Sequence, residues 1–142
     1  SIIFTQWAIE NSIDMTIVRI FQVFGEGESQ NRFWPSIKRM AESGKDFEMT
    51  QGEQVRDFIN VKTVAEEILI EALNKDRLVS IKNIGSGKPQ TLAEFANKIW
   101  EDSNAKGKII FGSKEYRKGE IFRYVPEINS RFILKNNDIN QK

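Results

Sequence analysis

Met15-Thr16-Ile17-Val18-Arg19-Ile20-Phe21-Gln22-Val23-Phe24 decides the fold class of this chain, because seven of its ten residues are β-branched or aromatic. Such side chains pack well on a pleated surface, and a nearly unbroken run of them marks a strand covered on both faces, as in a parallel sheet. Upstream, Ile2, Ile3, Phe4, Trp7 and Ile9 give residues 2 to 10 a helical pattern that ends at Asn11-Ser12. Downstream, Gly25-Glu26-Gly27-Glu28-Ser29 is the loop that leaves the strand.

The same alternation of strand, loop and helix continues. Phe33, Ile37 and Met40 recur at helical spacing between Asn31 and Ser43, with Pro35 tolerated in the first turn and Gly44 closing the helix. Asp46 to Thr50 reads as a short strand, and after a turn at Gly52 a second runs from Asp57 to Val61. Thr63 is placed to cap a helix reaching Leu73, with Val64, Ile68 and Leu69 turned toward a core. Leu78 to Ile84 supplies another strand, Gly85 to Pro89 a loop, and Thr91 with Glu94 a capping box that opens a helix to about Trp100. Lys108 to Phe111 is a short strand and Tyr116 to Glu120 a loop, while residues 133–142 carry no apolar period and are expected to fray. Lacking repeats and low-complexity linkers, residues 1–142 read as one domain of mixed α/β type.

Composition narrows the chemistry. With 142 residues, 39% of them apolar, the chain holds one domain with a real core. No apolar run nears the roughly 20 residues of a membrane span, so the reading is a soluble protein with no membrane partner. Twenty-one basic against 20 acidic residues give no global field for nucleic acid, and any anion site must be local. The absence of cysteine and histidine removes thiol nucleophiles, disulfides, imidazole acid–base chemistry and the usual zinc ligands, so no metal site is expected. A reducing, cytoplasmic setting is compatible with the absence of cysteine. The start, Ser-Ile-Ile-Phe, carries no basic stretch or small-residue cleavage site of a secretory signal, and it opens as if within an element.

Three groups stand out as anion binders. Arg56, within Gly52-Glu53-Gln54-Val55-Arg56-Asp57-Phe58-Ile59-Asn60-Val61, Arg117, and the loop at Gly85 to Gly87 each lie beside a strand end. There, guanidinium forks and backbone N–H groups can converge on a diphosphate. Surface or ion-paired arginines would look the same in sequence. Asp57 reads as a structural acceptor. Asn83-Ile84-Gly85-Ser86-Gly87 lacks the Gly-x-Gly-x-x-Gly spacing of a dinucleotide loop and also fits a tight turn with glycines at positive φ. Gln22 sits at the carboxyl end of its strand, where open α/β sheets place ligands, and suits a sugar or phosphate oxygen unless it is satisfied within the sheet. Phe33, Trp34 and Phe47 fit either base stacking or a core.

Five segments, in order and in register, resemble the C-terminal, substrate-binding half of the extended short-chain dehydrogenase/reductases, the NAD-dependent epimerases and dehydratases of nucleotide-sugars. Gly52 to Val61 is similar to their Gly-x-Gln-x-Arg-Asp-Phe-Ile-x-Val segment, and the resemblance implies that Arg56 holds the nucleotide diphosphate. Arg19-Ile20-Phe21-Gln22-Val23-Phe24-Gly25 resembles Arg-x-Phe-Asn-x-Tyr-Gly, whose amide contacts the substrate; glutamine here replaces asparagine and phenylalanine replaces tyrosine. Phe33 to Gly44 looks like the following substrate-domain helix. Asn83 to Leu92 is similar to Asn-x-Gly-x-Gly-x-x-x-Ser/Thr-Leu, which in the family is mainly a substrate-domain turn. Tyr116-Arg117-Lys118-Gly119-Glu120 resembles Tyr-Arg-x-Gly-Glu/Asp, implying a second phosphate contact at Arg117. Gln22, Phe47, Arg56 and Arg117 are therefore the expected substrate-binding residues, with a nucleotide-sugar as ligand.

The departures are equally specific. Val61-Lys62-Thr63-Val64-Ala65 stands where the family usually has Val-Asp-Asp-Val-Ala, and a Gly-Trp-x-Pro segment is not evident after Phe132. Residues 1–142 contain neither a Gly-rich Rossmann loop nor Tyr-x-x-x-Lys, in which tyrosine exchanges the proton. The resemblance implies that both would lie upstream of Ser1, that residues 1–25 are the last helix and strand of a Rossmann-like half, and that NAD or NADP serves a full-length parent. No catalytic or cofactor-binding residue is expected here, and the chain alone is expected to be inactive. Its uncovered apolar helix and strand edge point to a homo-oligomer. The competing readings are a stand-alone nucleotide-sugar-binding module and an interaction domain whose arginines are incidental.

Overall fold

The computed structural model describes residues 2–74, 79–128 and 131–134. Helix α1 (Ile2–Glu10) leads into strand β1 (Met15–Ile20). This strand lies parallel to β6 (Val79–Ile84), in register from Met15 opposite Val79 to Ile20 opposite Ile84. On the other side of β6, β10 (Arg131–Ile133) runs antiparallel. The parallel pairing read from the β-branched run is present.

Its coverage on both faces is not. Among the described residues β1 is an edge strand; Met15 to Val18 are half-buried and Arg19 and Ile20 exposed, while β6, paired on both sides, buries Val79, Ser80, Ile81 and Ile84. Nor does β1 continue to Phe24. Phe21 N–H still donates to Ile84 O (3.2 Å), but the chain then changes partner, and β2 (Val23–Phe24) pairs parallel with β5 (Ile59–Asn60). Gln22 occupies the bend between the two ladders.

Helix α3 (Val61–Leu73) follows β5 directly. Its cap is Asn60, whose side chain accepts from Lys62 N–H at 2.9 Å, so Thr63 lies inside the helix rather than at its start. The expected apolar face is also narrower: Val64 is buried, but Ile68 and Leu69 are exposed. Ile133, expected to fray, belongs to β10, and Leu134 N–H donates to Val79 O (2.9 Å). The rest of the expected tail, residues 135–142, lies outside the described residues, as does Leu78.

The second layer packs helices α2 (Phe33–Ser43) and α4 (Leu92–Asp102) against each other. Gly44 closes α2 and the Thr91–Glu94 capping box opens α4, as their sequences require. Two small sheets flank them: β3 (Phe47–Glu48) parallel to β8 (Ile109–Ile110), and β4 (Val55–Arg56) between β7 (Gln90–Thr91) and β9 (Arg123–Tyr124). Ile37, Met49, Phe58, Phe95, Ala96 and Ile99 form the core of this layer, with Phe58 and Phe95 stacked at 3.8 Å. Each such large apolar side chain contributes about 1.5–3 kcal/mol by leaving water. Among the described residues, no helix is long and apolar enough to cross a membrane, and no cluster of acidic side chains is arranged to hold a metal ion.

Candidate functional site

A cavity of about 530 Å³ opens between the first turn of α2, strands β3 and β4, and the loop over residues 114–120. Gln22, Phe47, Arg56 and Arg117, which come from four separate segments, all line it. An adjoining chamber of about 290 Å³ shares Gln22 and Arg117 and is walled by Phe24, Phe58 and Phe95.

Local structure fixes each side chain. Gly52 turns the chain into β4 with φ +78°, and a Cβ there would sit 2.9 Å from the Ala93 nitrogen, so both conformation and close approach demand glycine. The ladder then holds the segment: Leu92 N–H donates to Gln54 O (2.8 Å) and Val55 N–H to Phe122 O (2.7 Å). Arg56 lines the cavity with its guanidinium pinned. Its Nη1 donates to Val55 O (2.9 Å), and its Nη2 donates to Ile121 O (2.6 Å) and to the Glu120 carboxylate (3.3 Å).

Arg117 differs. It is exposed, and its guanidinium makes no hydrogen bond or ion pair with any described residue. Its loop is nevertheless anchored on both sides. Tyr116 donates its hydroxyl to Glu53 (2.9 Å) and packs edge-on against Phe122 (5.0 Å), while Glu120 N–H donates to Arg117 O (3.1 Å). Gln22 uses its backbone O to accept from Ile59 N–H (3.1 Å), leaving its side-chain amide without a partner among the described residues. Phe47 packs edge-on against Phe33 (5.8 Å), with Lys114 6.0 Å above its ring. Both phenylalanines pack against the core and line the cavity, whereas Trp34 packs against Phe24 (6.1 Å) and walls the smaller chamber.

The loop at Gly85 does not join the arginines. Asp57, wholly buried, accepts from Ser86 N–H (2.7 Å), Gly87 N–H (2.9 Å) and the Ser86 hydroxyl, so the amides that would cradle a phosphate are engaged. Gly85 is there because a Cβ would lie 2.9 Å from the Asp57 carboxylate and 2.6 Å from Pro126. The loop is thus a turn held by Asp57, not a cradle for a dinucleotide pyrophosphate.

Sequence reading missed Gln54, Thr50 and Lys114 at the cavity wall. Gln54 was legible in principle, standing two residues from Arg56 and hence on the same side of an extended segment. Four cationic side chains, Arg32, Arg56, Lys114 and Arg117, face three carboxylates, Glu48, Glu115 and Glu120. Arg56 and Arg117 are the pair whose forks can take one polyanion from two sides.

Residues 2–85 match the model of the NAD dependent epimerase/dehydratase family. The chain is 24% identical over 120 residues to dTDP-L-rhamnose 4-epimerase of Burkholderia thailandensis, covering 81% of this chain and 32% of that protein. It is 27% identical over 121 residues to CDP-abequose synthase of Salmonella muenchen, covering 83% and 40%. Among solved structures, UDP-glucose 4-epimerase of Thermotoga maritima with UDP-glucose superposes with a TM-score of 0.76 at 20% identity, covering 90% of this chain and 42% of that one. UDP-N-acetylglucosamine 4-epimerase of Methanobrevibacter ruminantium superposes at 0.78 and 23%, covering 99% and 44%. The chain thus spans a third to two fifths of the curated relatives it matches, with the mixed α/β fold of part of an extended short-chain dehydrogenase/reductase, and it belongs to the NAD dependent epimerase/dehydratase family.

Proposed function

We propose that this chain holds the nucleotide-sugar for an NAD- or NADP-dependent epimerase, dehydratase or reductase, with the diphosphate between Arg56 and Arg117 and Gln22 on a phosphate or sugar oxygen. The observation that carries the reading is the convergence of Gln22, Phe47, Arg56 and Arg117 on one cavity of nucleotide-sugar size. The free guanidinium of Arg117 supplies the adaptable contact and the pinned one of Arg56 the fixed contact. The hydride and proton transfers belong to groups outside these residues, and the chain alone is inactive in this reading. Self-association through its exposed apolar surfaces is part of it.

Calorimetric titration with UDP-, dTDP-, CDP- and GDP-sugars tests the assignment. At least one binds, and Arg117→Ala weakens it on the order of 10-fold or more, the scale of charge-assisted hydrogen bonds. Absence of binding to all four, or binding that ignores both Arg117→Ala and Arg56→Ala, favours the interaction-domain reading instead.

A further inference from the structure

Gln54 stands apart from every other residue of the cavity. It is only 6% exposed, yet its side-chain amide makes no hydrogen bond with any described residue, and its oxygen is buried outright. Its backbone is fully employed in holding α4, because Gln54 O accepts from Leu92 N–H (2.8 Å). An amide kept from water without a partner is destabilising, and buried polar groups are ordinarily satisfied. Leucine or methionine would fill the same volume without that cost. Gln54 nevertheless lines the cavity, together with Arg56.

We infer that Gln54 is a specificity-determining residue of this cavity, its amide reading an uncharged donor–acceptor edge of the ligand beside the anion held by Arg56. Residues 54 and 56 are separated by one repeat of an extended chain, about 6.6 Å. A group read by Gln54 therefore lies next to the diphosphate, within the span of one ligand. Two parts of a nucleoside diphosphate sugar flank the diphosphate and present adjacent donors and acceptors: the nucleoside and the hexose hydroxyls. A carboxamide pairs with either through one N–H and one C=O, the chemistry by which Gln reads a base edge. Rotation of the amide by half a turn exchanges its two ends, so it can match either polarity.

This inference rests on the nucleotide-sugar reading, and its test separates the two. The intact chain and its Gln54→Leu and Gln54→Glu variants are titrated with inorganic pyrophosphate, UDP and UDP-glucose. Gln54→Leu is expected to weaken UDP or UDP-glucose on the order of 10-fold while pyrophosphate binding stays unchanged. Loss already at UDP assigns the nucleoside edge, and loss only at UDP-glucose assigns the hexose. Gln54→Glu weakens all three, because its carboxylate faces the anion. A parallel fall of pyrophosphate and UDP in Gln54→Leu makes the residue merely structural and overturns the inference, as does unchanged binding of all ligands in a variant that melts like the parent. Where another of the four nucleotide-sugars binds in place of UDP-glucose, it and its parent nucleoside diphosphate replace UDP-glucose and UDP in the series; if none of the four binds, the nucleotide-sugar reading fails and this inference falls with it.

Discussion

Two arginines that look alike in sequence differ in what their removal costs. Arg56 places three N–H bonds on Val55, Glu120 and Ile121, so Arg56→Ala strips acceptors as well as a ligand contact, and a loss of about 1–3 kcal/mol is expected by urea denaturation. Arg117 has no side-chain partner among the described residues, so Arg117→Ala should leave the unfolding free energy within about 0.5 kcal/mol while weakening ligand. Equal stability losses in the two variants would contradict this division. Asp57 makes the opposite case, a wholly buried carboxylate accepting two backbone N–H groups and a hydroxyl. Asp57→Asn sets an NH2 against those donors or halves the acceptors; a loss of about 2–4 kcal/mol in the same assay is expected. The sequence made Asp57 legible as an acceptor and Arg56 and Arg117 legible as cavity residues. It could not show that Glu120, 64 residues from Arg56, pins one arginine and leaves the other free, because that distinction exists only after the loop folds back.

At the scale of elements, legibility followed the range of the forces. The α4 cap is local, four residues that satisfy each other, and sequence and structure agree on it; Thr91→Ala should cost about 1 kcal/mol. The cap of α3 was misplaced because Thr63 competes with Asn60, whose extended backbone (φ −70°, ψ 141°) ends β5 and starts the helix in one step. The β10 strand was illegible because what ties it down is tertiary: Arg131 pairs with Glu71 of α3, which also takes Lys82 of β6 at 2.8 Å, while Lys82 bonds Glu67 at 2.9 Å. Burial works to raise the Glu71 carboxyl, but Lys82 and Arg131 outweigh it and leave the group below its ordinary value of 4.5. Lys82 is raised above 10.5, chiefly by its bond to Glu71. A depressed carboxyl stabilises the fold above its unfolded pKa and loses this as pH falls through the folded one; a raised lysine stabilises below its unfolded pKa and loses this as pH rises through the folded one. The network is therefore fully stabilising between those limits. Glu71→Gln should lower stability near pH 7 by about 1–2 kcal/mol and flatten the decline in acid, read as unfolding midpoints from pH 3 to 7. An unchanged acid profile would show that the network does not anchor β10.

For the molecule as a whole, the decisive quantity is apolar surface left in water. Ile3 (81%), Phe4 (67%) and Trp7 of α1 are exposed, as are Leu69, Ile70 and Leu73 (79%) of α3, and β1 presents an open edge among the described residues. The helix pattern of residues 2–10 was read correctly as an element, but a sequence pattern reports that a face is apolar, not that anything covers it. The spacing of Val64, Ile68 and Leu69 in α3 fails in the same way, promising Ile68 and Leu69 a core that the described residues do not provide. Contiguous patches of this kind on a chain in isolation drive association, each fully buried side chain contributing about 1.5–3 kcal/mol. Equilibrium sedimentation of the isolated chain is accordingly expected to give more than the monomer mass, with a concentration dependence. Replacing Phe4 and Leu73 by lysine removes two of the largest exposed groups without touching the α2–α4 core, so the variant should shift toward monomer while retaining its ligand affinity. A parent chain that sediments as a monomer at all concentrations and binds no apolar dye would mean that these faces are tolerated in water. A variant that becomes monomeric but loses the ligand would instead tie assembly to the cavity.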